Sequence, residues 1–204
     1  MPREDIIYLA DRKNAPYGTK TKEELIALTK KDIQRLKDRG ARQILIACCT
    51  ASTVYPYLDF DEREISLPII TPAAELAAKY RRVYVIATRH TAESGAFVRA
   101  IRHFGDSIVI ESAEQELVRL VESGSRDGKL SQACECEINR IADDIKRANA
   151  EALVLGCTHF THLEGEFKKR LSGVEIISPA RLGAMALYRQ IKDKKAENGR
   201  NIYL

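Results

Sequence analysis

The sequence predicts an α/β fold: two doubly wound lobes with mostly parallel sheets and a shared cleft between them. Three observations carry that expectation. Short apolar runs alternate with amphipathic stretches along the whole chain, the pattern of parallel strands joined by helical crossovers. Two runs, Ile44-Leu-Ile-Ala and Ala152-Leu-Val-Leu-Gly, show no polar alternation, as strands buried on both faces require. Each breaks at a cysteine with a threonine close behind, Cys48-Cys-Thr50 and Cys157-Thr158. One lobe is expected over residues 1–67 plus 178–204 and the other over 68–177, each offering one cysteine turn to the cleft.

In chain order, residues 6–9 read as a strand, and 11–20 as a loop centred on Pro16-Tyr-Gly18. Thr21 followed by Glu24 is a capping box. The helix it opens buries Leu25, Leu28, Ile33 and Leu36 and stops at Gly40. After the first cysteine turn, 55–67 reads as irregular and acidic, 67–70 as a short strand, and Pro72 as the start of a helix through Tyr80. Another strand, 83–87, ends in Thr88-Arg-His-Thr91, and Ser94 caps a helix to His103. A strand at 108–110 and a helix over 114–122 follow, stopping near Gly124. A loop at 125–129 leads to a long polar helix over 131–149. Beyond the second cysteine strand come a helix over 162–171, a strand over 174–177, and a helix from Pro179 to about Lys194. The Lys192-Asp-Lys-Lys195 cluster is its exposed end, and Asn201-Ile-Tyr-Leu204 opens a further strand.

The chain has 204 residues, 45% hydrophobic and 30% charged, enough for a substantial core. No apolar run reaches the ~18–20 residues that span a bilayer, and no signal-type segment opens the chain. A cytoplasmic location without membrane partners is expected, with the five cysteines as reduced thiols. Net charge is only +4, lysines alternate with acids, and 6% of residues are aromatic, so no nucleic-acid groove is expected.

A cysteine at the carboxyl end of a parallel strand stands where open α/β sheets bind ligands. It also stands near a helix N-terminus, which favours thiolate. A single such cysteine is more often packing than chemistry. A matched pair on opposite walls is different, because one thiolate removes a proton from a carbon while the other thiol returns one to the opposite face. Inversion at carbon needs two such groups. Cys134 and Cys136 form a C-x-C in a polar helix and read as packing thiols. A zinc site from Cys48, Cys49, Cys157 and His159 has spacings that match no zinc motif. His90 and His103 read as surface or loop residues.

Ala47-Cys-Cys-Thr-Ala-Ser52 and Leu155-Gly-Cys-Thr-His-Phe160 resemble the two active-site signatures of the aspartate/glutamate racemase superfamily. Asp5-Ile-Ile-Tyr-Leu-Ala-Asp11 with Ala15-Pro-Tyr-Gly18, Ala87-Thr-Arg-His-Thr91 with Ser94-Gly95, and Leu120-Val-Glu122 resemble its glutamate-racemase branch, in order from about Pro2 to Ser178. The resemblance implies Cys48 and Cys157 as acid/bases, with His159 assisting Cys157 and Glu122 behind it. It implies that Pro16, Tyr17 and Gly18 line the pocket and that Thr50, Thr88, Thr91 and Thr158 bind the amino acid, with Cys49 at a further binding position. It implies glutamate as substrate, no pyridoxal or other cofactor, no metal, and D-glutamate supplied for peptidoglycan and cell shape.

Two departures stand out. The family's signature has a substrate-binding asparagine where this chain has Cys49. The family also begins with a strand ending in an Asp-Ser-Gly turn, which this sequence is expected to lack. That strand would lie beside the Ile6 and Ile44 strands, so its loss predicts an open sheet edge in the first lobe and a homodimer through it. Other expected readings are a weakly active binding protein that keeps the cleft, and a relative acting on another small amino or carboxylic acid.

Overall fold

The Thr21–Glu24 capping box forms, with Thr21 N–H donating to Glu24 Oε2 at 2.7 Å and Glu24 N–H to Thr21 Oγ1 at 3.2 Å. It starts α1 (Lys22–Lys37), which follows β1 (Ile6–Tyr8); the turn after the helix closes at Gly40, whose φ of +85° suits a residue without Cβ. The computed structural model describes residues 5–124, 130–192 and 201–203. The expected loop at 125–129 and the Asp193-Lys194-Lys195 part of the charged cluster lie outside them.

The remaining elements are β2 (Ile44–Ile46), α2 (Cys49–Ser52), α3 (Phe60–Ile65), β3 (Ser66–Pro68), α4 (Ile70–Ala77), β4 (Arg82–Ala87), α5 (Arg89–Glu93) and α6 (Ala96–Phe104). They continue with β5 (Ile108–Ala113), α7 (Gln115–Ser123), α8 (Gln132–Arg147), β6 (Ala152–Gly156), α9 (Glu164–Arg170), β7 (Glu175–Ile177), α10 (Pro179–Ile191) and β8 (Asn201–Tyr203). Every strand pairing among the described residues is parallel. The fold is the expected two-lobed α/β arrangement.

The largest sheet has the order β5-β4-β6-β7, with Val83 opposite Ala152 and Val85 opposite Val154. Its inner strands are apolar on both faces for a visible reason. Val83 and Val85 of β4 join Ala152 and Val154 of β6 against Ala73, Ala77, Phe97 and Ile101 of α4 and α6. Tyr84 and Ile86, with Leu153 and Leu155, face Leu117, Ile138, Ile141, Ile145 and Phe167 of α7, α8 and α9. Alternate residues thus fill two cores, and both are closed to water.

The other lobe departs from a single continuous sheet. Among the described residues its strands form two separate pairs, β2-β3 and β1-β8. The expected strand at Asn201 is present as β8 and pairs with β1 in the register Ile6 to Asn201. The acidic stretch expected to be irregular contains α3, started by Asp59 N–H donating to Glu62 Oε2 at 2.7 Å. The turn after β4 is itself helical, and α5 breaks from α6 at Gly95, which has φ +61°. Ser94 bridges that break, donating to Thr91 O at 2.6 Å and accepting from Ala96 N–H at 3.2 Å. Cys136 does not pack. It is exposed while Cys134 is buried, because residues two apart on a helix face different ways. No helix among the described residues is long and apolar enough to cross a membrane.

Candidate active site

Both cysteine turns are built alike. Cys48 follows β2 and caps α2 with extended backbone, φ −111° and ψ 126°. Cys157 follows β6 and caps a 3-10 turn over Thr158–Leu163, with φ −136° and ψ 134°. In each, strand geometry runs to the cysteine and the next N–H groups turn back toward its sulfur. Burial pushes the Cys48 thiol up, while the N–H groups of Ala51 and Thr50 and the Thr50 hydroxyl pull the other way. Burial pushes the Cys157 thiol up to about 12, against the N–H groups of His159 and Phe160, with Cys48 and Glu122 adding negative charge nearby.

Cys157 has a relay behind it. Its Sγ lies 3.2 Å from His159 Nδ1, and His159 Nε2 lies 3.2 Å from Glu122 Oε1. A proton on Nε2 facing the carboxylate leaves Nδ1 free to accept from the thiol. Helix α7 carries Glu122 near its C-terminal end and is held at its start by buried Glu114, which accepts from Arg140 of α8 at 2.5 Å.

Thr50, Thr88 and Thr91 form a closed triangle of hydroxyls, with Thr50 3.1 Å from each of the others and Thr88 2.9 Å from Thr91. Thr88 also caps α5, accepting from Thr91 N–H at 3.2 Å. The triangle ties α2 of one lobe to α5 of the other. His90 adds a second tie, with Nε2 3.3 Å from Thr53 Oγ1. It is therefore half-buried and structural, not a free surface residue.

The Pro16-Tyr-Gly18 segment forms a 3-10 turn over Tyr17–Thr19 against this junction. Tyr17 donates to Asp11 at 2.8 Å and stands 3.3 Å from Asp32 Oδ2. Burial and these two acids hold the Tyr17 phenol far above its ordinary value. Burial acts to raise Asp11, but hydrogen bonds from Asn14 and Tyr17 outweigh it and hold the carboxyl low. Burial, then the Asp11 charge, raises Asp32.

A single cavity of about 940 Å³ joins these parts. Pro16, Tyr17, Gly18, Cys48, Cys49, Thr50, Thr88, Glu122, Cys157, Thr158 and His159 all border it. Thr91 does not; it is fully buried behind Thr50 and Thr88. Cys49 borders the cavity but packs among Ile69, Ile70 and Ala73, and burial, then Cys48 and Cys157, push its thiol well up. All five cysteines are free thiols. The described residues hold no group of His, Cys, Asp and Glu arranged to bind a metal ion. Asp11, Asp32 and Gln115 also border the cavity and were not anticipated. Asp32 has a sequence signal in retrospect, as an acid set between Thr29 and Ile33 in the buried stripe of α1. Gln115 has none.

Residues 3–187 match the model of the family described as Asp/Glu/Hydantoin racemase. The glutamate racemase of Aquifex aeolicus is 31% identical over 199 residues, covering 95% of this chain and 76% of that protein. That of Limosilactobacillus reuteri is 34% identical over 188 residues, covering 88% and 68%. The structure of glutamate racemase from Francisella tularensis in complex with D-glutamate is similar with a TM-score of 0.84 and 26% identity, over 99% of this chain and 78% of that one.

Proposed function

This chain belongs to the Asp/Glu/hydantoin racemase family, and on that premise we propose that it interconverts L- and D-glutamate with Cys48 and Cys157 as the two acid/bases. The observation that carries the reading is that two similarly built cysteine turns, one from each lobe, open on one cavity. The α-carbon sits between the sulfurs. One thiolate takes its proton while the opposite thiol donates to the other face, and the reverse reaction exchanges the roles. His159 takes the Cys157 proton at Nδ1, leaving a thiolate beside an imidazolium whose Nε2–H faces the Glu122 carboxylate and is steadied by it, while N–H groups of Thr50 and Ala51 support a Cys48 thiolate. Thr50, Thr88 and Thr158 orient the zwitterion, Thr91 holds two of those hydroxyls from behind, and Pro16, Tyr17 and Gly18 close one wall. Thiol chemistry performs the reaction without cofactor or metal in this scheme.

The lobes divide at residues 1–67 plus 178–204 and 68–177, and the protein works in the cytoplasm as a source of D-glutamate for peptidoglycan. The test is direct. Cys48→Ala and Cys157→Ala are each expected to abolish racemisation in both directions, with solvent deuterium entering the α-carbon of product only in the parent. Each variant keeps elimination from a substrate with a β leaving group, which needs one base. Racemisation near the parent rate by either variant would overturn the assignment.

A further inference from the structure

We infer that Glu114 and Arg140 are a positioning pair: they fix the slide and tilt of α7, and so hold Glu122 against His159 and govern the half of the reaction that uses Cys157. The inference rests on the racemase reading and starts from a carboxylate buried away from the chemistry. Glu114 is 4% exposed and does not border the cavity. Both of its oxygens are taken, Oε1 by Ser112 Oγ at 2.6 Å and Oε2 by Arg140 Nη2 at 2.5 Å. Its N–H donates to Ala87 O at 2.8 Å, and its own carbonyl accepts from Val118 N–H at 3.2 Å. One residue thereby joins the ends of β4 and β5, the first turn of α7 and the body of α8. A buried ion pair is poor evidence for stability, because apolar side chains of similar volume in its place often do as well. What the pair supplies is direction.

Direction is what α7 otherwise lacks. Its buried residues, Leu117 and Val118, join an apolar core, and such contacts hold a helix down without fixing how far it slides or tilts. Among the described residues its hydrogen bonds to other elements lie at its two ends. Glu114 and Gln115 make those at the start, where Gln115 Oε1 accepts from Arg89 N–H at 3.4 Å, and Glu122 faces His159 at the other. Nine residues are too few for a helix to hold itself. Glu122 lies about 12 Å along the axis from Glu114, so a tilt of about 5° at the start moves its carboxylate about 1 Å. Oε1 already stands 3.2 Å from His159 Nε2, at the long end for a hydrogen bond. The 3.4 Å contact at Gln115 is too long to hold that angle alone. Arg140 is itself held, since Glu137 and Asp144 of its own helix accept from it at 2.9–3.0 Å. Cys48 is served instead by the N–H groups and hydroxyl of its own turn, so the pair bears on one sulfur only.

The experiment separates the two sulfurs by elimination from glutamate carrying chloride at its β-carbon, where one thiolate takes the α-proton and chloride leaves. In the Cys48→Ala background Cys157 is the base. There Glu114→Ala is expected to lower kcat about tenfold, the lower end of the value of a hydrogen bond to a charged group, with KM held. In the Cys157→Ala background, where Cys48 is the base, the same change leaves kcat as it was. Arg140→Leu alters a half-exposed side chain and gives the same pattern even if Glu114→Ala does not fold. Arg140→Lys, which keeps a charged donor, recovers the rate. In a Glu122→Gln background Glu114→Ala costs nothing more, because the group it places is gone. Equal losses with either sulfur, no loss with Cys157, or an undiminished loss in the Glu122→Gln background would overturn the inference while leaving the racemase reading intact. Failure of the parent protein to exchange the α-proton of glutamate with solvent would overturn both.

Discussion

A thiol abstracts a proton only as thiolate, and burial holds both Cys48 and Cys157 above the ordinary value, Cys157 at about 12. Below that value the thiolate fraction grows tenfold with each pH unit. The expected kcat/KM therefore rises with pH across roughly the range from His to Cys reference values, and a flat profile would show that neither free thiol is the base. Glu111 offers a stability test with the opposite sense. Burial pushes its carboxyl up to about 7, and Oε1 is buried without a partner. The unfolded chain releases that proton near its ordinary value and the native state only later, so stability falls as pH rises between the two. Glu111→Gln is expected to raise Tm at pH above 7 and to do little in acid; equal shifts at both would point to packing instead. Cys49→Asn tests the departure from the family's signature. A restored amide should lower KM for glutamate about tenfold or more, although Cys49 sits in an apolar cluster, and a loss would mean that cluster governs the position. Cys48, Cys157 and the threonines were legible because each follows an apolar strand in a short motif. Gln115 was not, because a polar residue opening an amphipathic helix looks like any solvated one until the lobes are assembled.

At the scale of elements, the second cysteine turn depends on the residue before it. A Cβ on Gly156 would lie 2.8 Å from Ile86 O, 2.9 Å from Phe97 Cε2 and 3.1 Å from Val85 Cγ1. The end of β6 is therefore pressed against β4 and α6, and that close approach sets where Cys157 leaves the sheet. Gly156→Ala is expected to cost about 1–3 kcal/mol by overpacking, and to lower kcat along with stability because the sulfur moves. Stability unchanged in a denaturant titration would show that α6 yields easily. The helices legible from sequence were those with caps and a sustained apolar stripe, such as α1 and α8, where Ser131 accepts from Cys134 N–H as its position suggests. Less legible were α3 and α5, each under two turns long. Helices that short take their stability from neighbours more than from their own residues, and α5 exists through the Thr88 and Thr91 contacts with α2.

For the whole molecule, the two lobes are unequally finished. The larger sheet buries β4 and β6 between two cores, whereas among the described residues β1 pairs with β8 alone and β2 with β3 alone. Both of those strands border the long arm of the cavity, together with Ile33 and Leu36 of α1 and Leu187 and Ile191 of α10. Thr29 Oγ1 is buried near that arm without a hydrogen-bond partner. A two-stranded piece is marginal by itself, and an open edge with apolar side chains is a template for another chain. Amides of β1 and β2 are thus expected to exchange with solvent well before those of β4 and β6. The same edges should make the protein associate as concentration rises, forming a dimer through the first lobe. Ile6 is 41% exposed on β1, so Ile6→Lys places a charge on that edge and should suppress association without touching the cysteine end of the cavity. Sedimentation of the parent as a monomer at every concentration, or uniform amide protection across both lobes, would show that the edges are satisfied within one copy.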